Sequence, residues 1–135
     1  MTRNQTSMNL LTASIIKAAI AVHRTLGPGL LESVYERCMV IELRRMGHQV
    51  DAQVPVAIVY DGVHVHDEGF RMDLLVEGEV IVELKSCEEM RPVYAKQLLT
   101  HLRLSGKHVG LLINFNVRLL KDGIVRIVDR FEEDS

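Results

Sequence analysis

The chain has 135 residues, 47% of them hydrophobic, and a formal net charge of −2, which suits one compact domain with a real core and leaves no room for a second. The near-neutral balance excludes a protein that coats nucleic acid by charge alone, so any contact of that kind is local. No apolar run approaches the roughly 20 residues of a membrane span, and Met1 to Ser7 lacks the apolar stretch of a secretory signal, so a soluble, cytoplasmic protein is expected.

In chain order, Asn9 to Leu26 reads as an amphipathic helix, with Leu10, Leu11, Ile15, Ala18, Ala19 and Val22 at helical spacing. Gly27-Pro28-Gly29 stops it. A second helix is predicted from about Leu31 to Met46, with Val34, Cys38, Ile41 and Met46 on or near its apolar face and Gly47 closing it. Gln49 to Tyr60 alternates as a strand, and Asp61-Gly62 signals a hairpin into a short strand over Val63 to Val65.

A second hairpin follows. Met72, Leu74 and Val76 fall on one face of its first strand, and Val80, Val82 and Leu84 on one face of its second. A three-residue connection, Glu77-Gly78-Glu79, pairs Val76 with Val80 and keeps both apolar sets on a single side. The same register sets Asp73 opposite Glu83 and Arg71 opposite Lys85, carboxylate against carboxylate and cation against cation, which destabilises a sheet unless something bridges the charges. A divalent cation between Asp73 and Glu83, with a phosphate near Lys85, is one such bridge. Diagonal pairing of Arg71 with Glu83 and of Asp73 with Lys85, an ordinary charge lattice on a solvated face, is the alternative.

Pro92 and the run from Val93 to Ser105 give a third helix, closed by Gly106. His108 to Phe115 is a continuous apolar strand of the kind buried on both faces, and Ile124 to Val128 is a last strand after the Lys121-Asp122-Gly123 turn. The order helix, helix, strand meander, helix, strand, strand predicts an α/β fold, a mixed β-sheet flanked by helices. Its Val109 to Asn114 strand should run parallel to a meander strand through the crossover helix. The expected organisation is a flexible start over residues 1–8, one domain over residues 9–129 and a frayed tail over residues 130–135.

Three patterns converge along this frame. Asp73 with Glu83-Leu84-Lys85 has the form D…E-x-K, Gly29-Leu30-Leu31-Glu32-Ser33-Val34-Tyr35 the form G-x-x-E-x-x-Y, and Gln97-Leu98-Leu99-Thr100-His101 lies in the following helix. With Ala21-Val22-His23-Arg24, Leu26-Gly27-Pro28-Gly29-Leu30, Gly69-Phe70-Arg71-Met72-Asp73 and Gly110-Leu111-Leu112-Ile113-Asn114-Phe115, the chain resembles the GxxExxY family, a branch of the PD-(D/E)XK nuclease-like superfamily, from about Leu11 to Val128.

That resemblance implies a restriction-endonuclease-like core and a metal-dependent nuclease acting on DNA or RNA. It implies Asp73 and Glu83 as ligands of Mg²⁺ or Mn²⁺, Glu32 as the helical carboxylate completing the site, and Lys85 as the catalytic cation. Glu83 and Lys85, two apart on a strand, point to one side. Glu32 in the first turn of a helix is also what the helix dipole alone favours. Tyr35, one turn beyond Glu32, either touches substrate or only packs. Gln97 and His101 share a helix face and match a Q-x-x-x-Y signature in which His101 replaces the usual Tyr, and Arg71 with Gln97 would orient substrate or the site. Lys96, Arg103 and Lys107 form a neighbouring stripe that either follows a phosphate backbone or is simply solvated.

Other candidates are weaker. His64, His66 and Asp67 lack the spacing of a zinc site and read as surface residues. Cys38 and Cys87 form no metal or disulfide pattern and read as free thiols. His23 falls at a helix end, where an imidazolium is favourable. Two rivals to the nuclease stand: a non-catalytic module that binds nucleic acid or protein on the same fold, for which the scarcity of aromatics speaks, and a homodimer or other homo-oligomer serving an interaction role.

Overall fold

A computed structural model describes residues 4–129; residues 1–3 of the expected flexible start and the whole expected tail, residues 130–135, lie outside the described residues. The element order is α1 (Gln5–Leu26), α2 (Glu32–Arg45), β1 (Val50–Tyr60), β2 (Val63–Val76), β3 (Val80–Lys85), α3 (Pro92–Ser105), β4 (Val109–Asn114), a 3₁₀ turn (Leu120–Gly123) and β5 (Ile124–Val128). The five strands form one mixed sheet in the order β1-β2-β3-β4-β5. Only the β3–β4 pair is parallel, joined by α3 as the crossover that parallel neighbours require.

Helix α1 starts four residues before the expected Asn9, so Gln5 to Met8 forms its first turn. Asn4 is the reason: its side-chain oxygen accepts from the Ser7 amide at 2.8 Å, an N-cap, and Met8 is buried beneath it. On α2 the buried stripe is Tyr35, Met39 and Leu43, not the expected Val34, Cys38, Ile41 and Met46; Ile41 is 54% exposed. An i, i+4, i+8 stripe satisfies helical periodicity as well as the other face does, and contact with α1 and the sheet chooses between them.

The Asp61-Gly62 turn forms as expected, both residues at positive φ (51 and 78), but the strand after it does not stop at Val65. It runs on as β2 to Val76, so the short strand and the first arm of the charged hairpin are one element. The second hairpin keeps the expected register, Val76↔Val80, Leu75↔Ile81 and Leu74↔Val82. The ladder ends there, and Arg71 opposite Lys85 does not occur: Arg71 lies across from Pro55 of β1 and Lys85 beside Asn114 of β4.

Two apolar layers sandwich the sheet. Helices α1 and α2 cover one face with Leu74, Val76, Val80, Val82 and Leu84, and α3 covers the other, where Leu98 and Leu102 meet Ile81 and Leu112. Met72 packs in this second layer, against the expectation that it shares a face with Leu74 and Val76. The alternation of β2 breaks at Asp73, opposite the point where Gln53 of β1 adopts a left-handed backbone (φ 53) and the Gln53–Asp73 pair drops out between Ala52↔Leu74 and Val54↔Met72, the register on either side being unchanged. Helix α3 lies close on the sheet because Gly110 of β4 has no side chain; a Cβ there would meet Leu98 Cδ1 at 2.9 Å.

Candidate active site

The break in β2 and the end of the hairpin ladder coincide at Asp73. Its Oδ2 accepts the Leu84 amide at 2.8 Å, so a side chain takes over where the backbone pairing ends, fixing one carboxylate oxygen against β3. The other oxygen takes no hydrogen bond among the described residues. Beside it, Glu83 and Lys85 point from β3 toward α3, on the side of Ile81, as strand alternation demands.

Glu83 is the unusual member. Its side chain is 14% exposed, and Oε1 is buried without a hydrogen-bond partner among the described residues. The nearest donor, His101 Nδ1 of α3, is 3.6 Å away, beyond hydrogen-bond length, and is itself buried and unpartnered. Burial above all pushes the Glu83 carboxyl above its ordinary range; neighbouring His101 pulls it down, the Asp73 charge pushes it up further, and Lys85 pulls it down. His101 is held by Phe70 of β2, stacked on its ring at 4.0 Å between centroids. Lys85 Nζ sits over the Tyr94 ring of α3, 4.5 Å from its centroid, a cation–π contact that directs the ammonium.

Asp73, Glu83, Lys85 and His101 are thus brought together at the junction of β2, β3 and α3. Glu32 is exposed in the first turn of α2, and among the described residues no group of three or more His, Cys, Asp or Glu side chains is placed to hold a metal. Gln97 is exposed on α3 with no partner among the described residues. Arg71 is paired with Glu68, and no ion pair joins it to Glu83 among the described residues.

Tyr35 cannot contact substrate. It is fully buried and stacked on Phe115 at 4.4 Å, and its hydroxyl donates to the Gly27 carbonyl at 2.6 Å and accepts the Leu30 amide at 3.1 Å. The G and Y of the G-x-x-E-x-x-Y pattern therefore build a loop: Gly29 supplies a backbone at φ 98, and Tyr35 clamps the turn from inside. Ser86, next to Lys85, donates to the Leu30 carbonyl at 2.5 Å and ties that loop to the end of β3. His23 falls in the last turn of α1, as expected, and is likewise buried there, its Nε2–H donating to the Val117 carbonyl at 2.7 Å.

Three contributors escape a linear reading. Tyr94 and Phe70 orient Lys85 and His101 from elements that only packing brings near. Asn114, buried at the end of β4, accepts the amides of Cys87 and Asn116 at 3.1 Å each and donates to the Cys87 carbonyl at 2.9 Å, pinning the chain just after Lys85. Its signal is legible: a lone amide closing the apolar run Val109 to Ile113 is a buried polar group that must find partners.

An α/β/α sandwich that gathers an aspartate, the glutamate and lysine of an E-x-K, and an unpartnered buried carboxylate oxygen at one end of its parallel strands defines a nuclease-like class. The chain belongs to the PD-(D/E)XK nuclease superfamily, whose family model matches residues 9–127. No curated protein and no solved structure matches it.

The donor set fits a hard divalent cation. Two carboxylates lie side by side, one with a buried oxygen that takes no hydrogen bond among the described residues, and small divalent ions are commonly held by one or two carboxylates with water and substrate phosphate completing the shell.

Proposed function

We propose that the protein is a metal-dependent nuclease of the GxxExxY branch, hydrolysing phosphodiester bonds of nucleic acid with Mg²⁺ or Mn²⁺ held by Asp73 and Glu83. The observation that carries this reading is the buried Oε1 of Glu83, without a hydrogen bond among the described residues, beside Asp73 and two residues before Lys85. Burying a carboxylate unsatisfied costs on the order of 1–3 kcal/mol, which a fold without use for it has no reason to retain.

The bound ion would supply Lewis-acid stabilisation of a phosphoryl oxygen and a more acidic water. Lys85, aimed by the Tyr94 ring, offers a point charge to the developing negative charge on the phosphate. Asp73 is held rigid by the Leu84 amide, so its free oxygen is positioned before any ligand arrives. His101, fixed by Phe70, keeps a ring nitrogen directed at Glu83, and Gln97, one turn earlier on α3, is exposed for contact with substrate. Glu32 enters this proposal only as an outer carboxylate, because the fold does not gather it with the other two.

Calorimetric titration of Mn²⁺ into the wild type and Asp73→Asn tests the site directly. Binding lost in the variant supports the nuclease reading and licenses a cleavage screen with Lys85→Ala as control. No binding at millimolar metal, with or without an oligonucleotide, favours the second reading, a non-catalytic binding module. That reading draws on the near-neutral charge of the chain and its few aromatic side chains.

A further inference from the structure

Strands β3 and β4 are parallel, so Lys85 and Asn114 end side by side and the chain leaves both at one edge of the sheet. The loop after β4 is tied back to that edge by the Phe115 amide, which donates to the Lys85 carbonyl at 2.9 Å. Next to it lies a cavity of about 440 Å³ between the end of α1 and this loop, lined among others by Arg24, Gly27, Pro28, Arg118 and Lys121. In open α/β sheets the edge at the carboxyl ends of parallel strands is where ligands bind.

The cavity is one-sided in charge. Arg24, Arg118 and Lys121 line it and no carboxylate does. Among the described residues none of the three side chains enters an ion pair or a side-chain hydrogen bond, in contrast to Arg44, Arg45, Arg71, Arg103 and Arg126. In a chain of net charge −2, three cations converging on one concavity without an acid make a local positive field.

The walls are also fixed in advance. Buried His23, adjacent to Arg24, holds the Val117 carbonyl, adjacent to Arg118, and buried Tyr35 holds the Gly27 carbonyl. The two segments carrying the arginines are therefore locked to each other by a hydrogen bond between residues 94 apart in sequence. Guanidinium and ammonium donors carried on a fixed backbone, with no internal acceptor among the described residues, suit a phosphate, which accepts from arginine in bidentate fashion.

We infer that this cavity is a second phosphate subsite, taking a backbone phosphate of the nucleic-acid strand other than the one presented to Lys85. The inference rests on the nuclease reading for the identity of the ligand, and it makes the substrate a polynucleotide rather than a mononucleotide. Contacts of this kind set register along the strand and carry no base specificity.

The test is fluorescence anisotropy of a labelled oligonucleotide in EDTA, where no cleavage occurs and the Asp73–Glu83 pair plays no part. Arg118→Ala/Lys121→Ala, both exposed positions, should weaken binding by about tenfold and flatten the dependence of log K on log salt by about 1, the slope of one lost phosphate. Arg45→Ala, the same kind of charge at the far end of α2, should leave both unchanged. The inference is overturned if the double variant binds as tightly as the wild type, if Arg45→Ala loses as much, or if the wild type does not bind. The nuclease reading fails separately, when Mn²⁺ binding is indifferent to Asp73→Asn.

Discussion

Replacing Glu83 by glutamine should stabilise the metal-free protein while removing its capacity for metal. The carboxylate is largely buried, its Oε1 lacks a partner, and burial together with Asp73 drives its pKa upward against the pull of His101 and Lys85. An amide of the same shape lifts the charge penalty, worth about 1–2 kcal/mol for a buried, unsatisfied ionised group. In a domain of this size that is a rise of roughly 3–10 °C in Tm. The sign of the pH dependence follows from the direction of the shift. The folded pKa lies above the unfolded one, so the native state binds the proton more tightly and the penalty is absent below the unfolded value. It grows as pH rises through the folded value. Thermal unfolding in EDTA from acid to neutral pH should therefore show the variant and the wild type converging at the acid end and separating toward pH 7, with the variant higher. Saturating Mn²⁺ should reverse the order, because a ligand at 100 times its Kd adds about 2.7 kcal/mol to the wild type and nothing to the variant. A variant less stable than the wild type at neutral pH in EDTA would refute the reasoning, since the charge would then be satisfied within the fold.

Glu32→Gln should weaken Mn²⁺ binding by about 10- to 100-fold in calorimetry, as expected for an outer carboxylate, where Asp73→Asn abolishes binding; equal losses would make Glu32 a direct ligand. Tyr35→Phe should cost about 1–3 kcal/mol in denaturant unfolding, because the Gly27 carbonyl and the Leu30 amide both lose their buried partner, with Mn²⁺ affinity at Asp73 and Glu83 retained. Gly110→Ala should destabilise by about 1–3 kcal/mol through overpacking against Leu98, and by displacing α3 it should weaken the Lys85–Tyr94 contact, read as a change in the Tyr94 ring-current shift on the Lys85 side chain by NMR.

Much of this architecture is written in short-range pattern. Apolar periodicity and the Gly-Pro-Gly and Asp-Gly breaks place the helices and strands in order, except that the two strands expected between Val63 and Val76 are one, and the three-residue Glu77-Gly78-Glu79 turn sets Val76 against Val80, because turn length dictates register locally. The parallel pairing of β3 with β4 follows from a helix standing between them. Asp73, Glu83 and Lys85 are legible because charges in apolar strands stand out against the pattern around them.

The tertiary structure alone decided which face of α2 is buried, and it chose Tyr35, Met39 and Leu43 because two stripes satisfy the same helical period and only the neighbouring layer breaks the tie. It moved Met72 to the α3 side through a backbone distortion at Gln53, on a strand nineteen positions earlier in the chain, that no rule of alternation foresees. It seated Lys85 on Tyr94, grouped no third metal-holding side chain with the acid pair among the described residues, and set Arg24 and Arg118 along one cavity. Each of these is a contact between elements distant in sequence, and a pattern that repeats every two or 3.6 residues carries no information about which distant element it will meet.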